Sequence, residues 1–194
     1  MIQERLKELR AQMQERGIDI YIVPTSDFHQ SEYVGEYFKA RKYMTGFTGS
    51  AGTAVITKEE AGLWTDGRYF IQAEKQLEGS TVKLFKMGEE GVPKVEEYVK
   101  DHLTEGSCIG FDGRVMDAKS GEKYAKMAEE KKAALYVKED LVGNIWKDRP
   151  QLPANKVWIL EDAYAGRSMA DKIADVRTKM QKEGADIHIL SSLY

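Results

Sequence analysis

Three short stretches hold the residues whose types and spacing could do chemistry: Ser26-Asp27-Phe28-His29-Gln30-Ser31-Glu32-Tyr33, Gly46-Phe47-Thr48-Gly49-Ser50-Ala51-Gly52-Thr53 and Trp64-Thr65-Asp66-Gly67-Arg68-Tyr69-Phe70. In the last, Asp66 can cap a helix opening at Gly67 or Arg68, and Gly67 lets the backbone turn tightly. Arg68 then emerges from the first helical turn, where the helix dipole disfavours a cation. An arginine placed against that preference is either a plain surface charge or a contact held out to a ligand. The first stretch sets Asp27, His29 and Tyr33 just after the first predicted strand, where α/β proteins bind ligands. It reads equally well as a polar loop whose Ser26 and Asp27 cap the next helix.

The glycine-rich stretch invites comparison with a phosphate loop. Walker A needs Gly-Lys-Ser/Thr after the loop, and here Gly52 precedes Thr53 and Ala54 follows it, so the lysine is missing. The pattern GxGxxG is absent too, and Gly49-Ser50-Ala51-Gly52 falls one residue short of the GxSxG nucleophile elbow. The glycines read as a tight turn leading into a strand. The three histidines, His29, His102 and His188, have no helical zinc spacing, and no HExxH or cysteine quartet occurs. His102 sits at the end of a predicted helix, where the dipole favours a cation, and His188 alternates with isoleucines on a predicted strand. The single Cys108 cannot form an internal disulfide and lies in an apolar run, which suits a reducing compartment.

The elements that must position these residues come from an ordinary globular composition. The chain has 194 residues, 42% hydrophobic and 31% charged, with a net charge of −3. No clustered basic face is present, which argues against nucleic acid. No apolar run approaches the roughly 20 residues needed to cross a bilayer, and the N-terminus is a charged amphipathic helix rather than a leader. A cytoplasmic protein is expected. Helical spacing of Ile2, Leu6, Leu9 and Met13, ended by Gly17, predicts a helix over 2–16, and Ile18 to Val23 a buried strand. Helical character follows over Ser31 to Met44. Two strands around Lys58 to Glu60 form a hairpin. A helix over 68–77, a strand over 81–87, a helix over 93–103, a strand over 108–111, a helix over 118–132 and a strand over 134–137 complete the pattern. This predicts an α/β fold with a mixed sheet flanked by helices.

Lys147 to Asn155 holds two of the four prolines and reads as a linker. Beyond it, "DKIADVRTKMQKEGADIHIL" from Asp171 repeats "ERLKELRAQMQERGIDIYIV" from Glu4, with Ile173, Val176 and Met180 over Leu6, Leu9 and Met13. Chance likeness of one amphipathic helix and strand to another is one reading. A tandem duplication, whose second copy has only begun when the chain stops inside a strand at Tyr194, is the other.

Together, SDFHQSEY, TGFTGSAGTAVIT, LWTDGRYFIQA and NIWKDRP resemble, in order and spacing over essentially the whole chain, the N-terminal region of cytosolic three-domain Xaa-Pro aminopeptidases of the creatinase and prolidase group. The resemblance implies a ribonuclease H-like creatinase N-terminal domain over 1–150, a linker over 151–157 and the start of a related second domain over 158–194. It implies a metal-dependent aminopeptidase acting on Xaa-Pro bonds. Its two divalent ions, manganese in this group, sit on two Asp, a His and two Glu of a third domain that have no counterpart in this chain. The chain alone should then hold no cofactor and be inert, helping to shape the substrate entrance and the assembly. The partners implied are a proline-containing peptide, the second and catalytic domains, and a second copy in a homodimer. Arg68 matches the family arginine that reaches the substrate, with Asp27, His29 and Tyr33 as further candidates for the same cleft or for packing against the missing domain. A free-standing α/β interaction or small-ligand module is the competing reading.

Overall fold

A computed structural model describes residues 1–190 of the chain. It divides into two compact units, Met1–Gln151 and the residues from Leu152 on. In the first unit the elements run α1 (Ile2–Glu15), β1 (Ile20–Pro24), α2 (Ala40–Thr45), β2 (Thr53–Thr57), β3 (Ala61–Thr65), α3 (Phe70–Leu77), β4 (Val82–Lys86), α4 (Val95–His102), β5 (Cys108–Phe111), α5 (Ala118–Glu130), β6 (Ala134–Tyr136) and α6 (Leu141–Ile145), with 3₁₀ turns at Glu36–Phe38 and Gly67–Tyr69.

The strands form one six-stranded sheet in the order β4-β3-β2-β1-β5-β6. Pairing is parallel for β1 with β5, β3 with β4 and β5 with β6, and antiparallel for β2 against both its neighbours. The hairpin read from the sequence is therefore what makes the sheet mixed. Side chains alternate across it with the period of two that a pleated strand imposes. Tyr21 and Val23 of β1 join Leu6, Leu9, Met13, Met44 and Leu141 in one core layer. Ile20 and Ile22 join Trp64, Val99, Phe111 and Tyr124 in the other. Helices α1, α2, α3 and α6 thus cover one face and α4 and α5 the other. Gly62 leaves room for Trp64 and Phe85 to stack, with centroids 3.9 Å apart, because a Cβ there would lie 2.6 Å from each ring.

Some expectations need correcting. No helix fills 31–35. The Asp27 carboxylate accepts the backbone N–H groups of His29 and Ser31, at 2.8 and 3.0 Å, and so folds its own loop instead of capping a helix. Helix α6 is an element the sequence does not signal. Five residues carry too little periodicity to read, yet Leu141, Val142 and Ile145 are all buried, and Asp140 caps the helix through Gly143 N–H at 2.8 Å. Arg149, placed in the linker by the sequence, is anchored on the first unit. It donates to the Tyr37 carbonyl at 2.8 Å, pairs with Asp140, and lies 3.9 Å over the Tyr37 ring.

The second unit contains α7 (Asp162–Ala165) and α8 (Met169–Glu183). Helix α8 begins at a Ser168 cap and ends at Gly184 with φ of 65°, matching Gly17 with φ of 66° after α1. The expected strand is not formed over 186–190, and among the described residues of this unit no strand exists for it to pair with. The segment at Tyr194 lies outside the described residues.

Candidate functional site

Because β2 runs against its neighbours, it starts at the sheet edge where β1 and β3 end. The three stretches singled out in the sequence meet there for that reason. Thr25, just after β1, donates through its N–H and its hydroxyl to the Gly52 carbonyl, at 3.1 and 2.7 Å. Thr65, at the end of β3, donates through its hydroxyl to the Ala51 carbonyl at 2.8 Å. The glycine-rich turn is held from both sides, with Thr48 N–H also donating to Gln76 Oε1 of α3 at 2.8 Å. It serves as a turn into β2, and a Cβ on Gly49 would lie 2.2 Å from the Phe47 ring and 2.8 Å from that of Tyr69.

At the rim of this turn stands the Asp66-Gly67-Arg68 motif. Asp66 Oδ1 accepts Arg68 N–H at 3.1 Å, as the cap argument required. Its carboxylate also receives Arg68 Nε and Nη2, both at 2.9 Å. This fork holds the Asp66 carboxyl below the usual carboxylate range and raises the guanidinium further above its ordinary value. The dipole penalty is thereby met locally. The fork uses the Nε edge of the planar guanidinium, so the opposite edge faces away from Asp66 on a side chain 70% exposed. Tyr69 Oη lies 2.7 Å from Ser50 Oγ, which ties the arginine's neighbour to the glycine turn. That hydrogen bond lowers the Tyr69 phenol below its ordinary value.

The predicted site residues are only partly brought together. Tyr33 is exposed and near enough to Arg68 to contribute to its electrostatic surroundings, and it borders a cleft with Thr25, Arg41 and Ser50. Asp27 is buried. Burial alone would raise its carboxyl, but the hydrogen bonds from Ser31 and His29 hold it below the usual range, and its acceptors serve its own loop. His29 is exposed, and among the described residues no hydrogen bond or ion pair joins its side chain to Arg68 or Tyr33. The loop it belongs to leans the other way: Gln30 donates to the Val115 carbonyl at 3.2 Å, and Arg114 lies 5.4 Å over the Phe28 ring.

Two features escaped the sequence reading. Asp112-Gly113-Arg114, after β5, repeats the geometry of Asp66-Gly67-Arg68. Oδ1 of Asp112 accepts Arg114 N–H and Nε at 3.0 Å each, and Oδ2 accepts Nη2 at 2.9 Å. The repeated tripeptide was the available signal. The second is Arg41, buried on α2 beside Met44 and Thr45. An arginine three and four positions before two buried residues marks it as facing inward.

The other candidates of the sequence are structural. His102 Nδ1 is 2.8 Å from the Tyr98 carbonyl and its ring stacks on Tyr98. Cys108 is buried, with its thiol pushed up by burial. Among the described residues no three His, Cys, Asp or Glu side chains converge where they would hold a metal ion, so the side chains present do not fit a metal centre. No helix of the described residues is long and apolar enough to cross a membrane.

A sequence profile for the creatinase/prolidase N-terminal domain matches residues 5–139, and a second profile with the same description matches 148–194. The chain belongs to the creatinase/prolidase N-terminal domain family. Among relatives, Aminopeptidase P2 of Arabidopsis thaliana is 40% identical over 198 residues, covering 100% of this chain and 28% of its own length. The "Probable Xaa-Pro aminopeptidase P" of Pyrenophora teres f. teres is 44% identical over 194 residues, covering 97% and 29%. The crystal structure of X-prolyl aminopeptidase from Caenorhabditis elegans, described as a cytosolic enzyme with a di-nuclear active site, matches with a TM-score of 0.84 at 33% identity, covering 96% of this chain and 32% of that one. The chain spans under a third of the length of the curated relatives it matches.

Proposed function

We propose that this chain is the N-terminal, non-catalytic part of a metal-dependent, cytoplasmic Xaa-Pro aminopeptidase, in which it shapes the substrate entrance and takes part in assembly, including self-association. Residues 1–150 form its first domain, 151–157 a linker and 158–194 the opening of a second, related domain. The two divalent ions, manganese by family resemblance, belong to a catalytic domain elsewhere in the longer protein. When bound they supply the polarised carbonyl and activated water of peptide hydrolysis.

The observation that carries this reading is the Asp66–Arg68 fork at the edge of the sheet. A guanidinium already fixed on one edge loses little further freedom when its other edge binds a peptide carbonyl or carboxylate, so it positions substrate without taking part in bond making. Tyr33, on the cleft border with Ser50, is assigned as a second contact. Asp27 acts by shaping the loop that carries Tyr33, and His29 is assigned to packing against the rest of the longer protein.

Arg68→Ala in the longer protein tests this. It should lower kcat/KM on an Xaa-Pro peptide by roughly ten- to a hundredfold, as expected for loss of a charge-assisted hydrogen bond. Arg68→Lys should recover only part, because an ammonium cannot keep the fork. Unchanged kinetics in both variants would show that Arg68 is a surface charge.

A further inference from the structure

We propose that the cleft beside Arg41 is a subsite for the C-terminal carboxylate of a short peptide, an assignment that rests on the peptide-handling reading above. Arg41 is 3% exposed, and its guanidinium donates to neutral oxygens. Nε donates to Thr25 Oγ1 at 2.9 Å, Nη1 to the Phe47 carbonyl at 2.6 Å and Nη2 to the Gly49 carbonyl. Its guanidinium also lies 4.7 Å over the Phe47 ring. Buried charges in proteins are ordinarily paired with an opposite charge. Arg41 takes part in none of the ion pairs among the described residues. Burial lowers its pKa to about 10, which still leaves it charged at neutral pH. An uncompensated positive charge in a low-dielectric wall projects its field into whatever space adjoins it.

That space is a cleft of about 200 Å³. Its border carries the ammonium groups of Lys39 and Lys42, the hydroxyls of Thr48 and Ser50, and the apolar side chains of Val34 and Phe38. Lys39 is paired with Glu36, whose carboxylate Lys42 also stabilises, which leaves Arg41 as the cleft cation with no carboxylate partner among the described ion pairs. Glu32 also borders the cleft. The apolar walls suit the side chain that precedes such a carboxylate. The volume holds one terminal residue and not a whole peptide, because pockets that enclose drug-sized ligands run to roughly 300–1,000 Å³. The Ser50 hydroxyl at the cleft border is bonded to Tyr69, the neighbour of Arg68, so the two sites adjoin.

The test is a ¹H–¹⁵N chemical-shift titration of the 194-residue chain with Ala-Pro-Leu as the free acid, with the same tripeptide as its C-terminal amide, and with sodium acetate at matched ionic strength. The free acid should shift the amides of Lys42, Thr48 and Ser50 saturably, with the amide and acetate each at least about tenfold weaker, the factor for one charge-assisted hydrogen bond. Lys42→Gln, on an exposed side chain, should weaken the free acid several-fold without changing the fold. Arg41→Gln should abolish the preference for acid over amide where circular dichroism shows it folded. Equal binding of acid and amide, no shifts at these residues, or acetate binding as tightly as the tripeptide would each overturn the assignment. Repeating the titration in Arg68→Ala separates the two readings. An acid preference that survives there supports the cleft on its own residues, whereas failure of the substrate-positioning reading would appear only in the kinetics of the longer protein.

Discussion

Arg68 meets Asp66 through two parallel hydrogen bonds, Nε to Oδ1 and Nη2 to Oδ2, each 2.9 Å long. Asp66 thus has two duties: it caps the 3₁₀ turn at Gly67–Tyr69 and aims the guanidinium. Asp66→Ala separates them from Arg68's own role. Loss of the cap should lower the unfolding free energy by about 1 kcal/mol in urea titrations of this chain. In the longer protein, kcat/KM should fall by a smaller factor than in Arg68→Ala, because the arginine remains but is no longer fixed. Equal losses in the two variants would mean that the fork is the contact itself; no loss in Asp66→Ala would mean that orientation is irrelevant.

Gly49 and Gly121 make opposite forecasts for the same substitution. A Cβ on Gly49 meets the Phe47 ring at 2.2 Å and the Tyr69 ring at 2.8 Å, inside a turn pinned to three elements. Gly49→Ala should therefore cost about 1–3 kcal/mol through forced repacking, and should loosen the Ser50–Tyr69 contact. Gly121 lies inside α5 with nothing within 4 Å of its added Cβ. Gly121→Ala should stabilise by about 0.5–1 kcal/mol through helix propensity. Denaturant midpoints of the two variants check both signs at once.

Glu139 supplies a pH dependence. Its carboxylate receives Arg16 Nη2 at 2.8 Å and Nε at 3.0 Å, and a hydrogen bond from the Tyr136 hydroxyl, which together pull its pKa down to about 2. The unfolded chain should titrate this group near 4.3. A depressed folded pKa gives stability that is fully present above the unfolded value and is lost as pH falls through the folded one. The melting temperature of the wild-type chain should exceed that of Glu139→Gln above about pH 5, and the gap should close as pH falls from there toward 2. The pair is partly exposed, so the gap is small and sensitive to salt. A gap constant from pH 7 to pH 2 would show that the carboxylate's charge is not what Arg16 holds.

The sequence was legible where periodicity was long or turn chemistry was local. The α1 pattern, the hairpin around Lys58–Glu60, the Asp66 cap and β5 at Cys108–Phe111 all stand as their residues suggest. It was illegible where a distant partner decides. Asp27 looks like a cap until the backbone N–H groups of its own loop are seen to claim it, and α6 is too short to show a face. The meeting of Thr25, Ala51 and Thr65 depends on β2 running backwards between β1 and β3, which no single stretch encodes. Arg41 is not legible as buried because charge normally marks the exposed face of a helix, and here the acceptors that tolerate it come from Thr25, Phe47 and Gly49.

The two repeats allow a last comparison, between Leu9 and the residue 167 positions on, Val176. They hold equivalent places on helices α1 and α8, each of which ends before a left-handed glycine. Their surroundings differ completely: Leu9 is 0% exposed within the core layer of the first unit, and Val176 is 36% exposed. Truncating Leu9 removes buried methylenes and leaves a cavity, so Leu9→Ala should cost about 2–5 kcal/mol. Val176→Ala removes little buried area and exchanges a β-branched residue for a better helix former, so the unfolding free energy should stay within about 0.5 kcal/mol of wild type. Urea unfolding followed by far-ultraviolet circular dichroism measures both. If Val176→Ala proved as costly as Leu9→Ala, the α8 face would have to be packed in solution, and the likeness between the repeats would extend from sequence to burial.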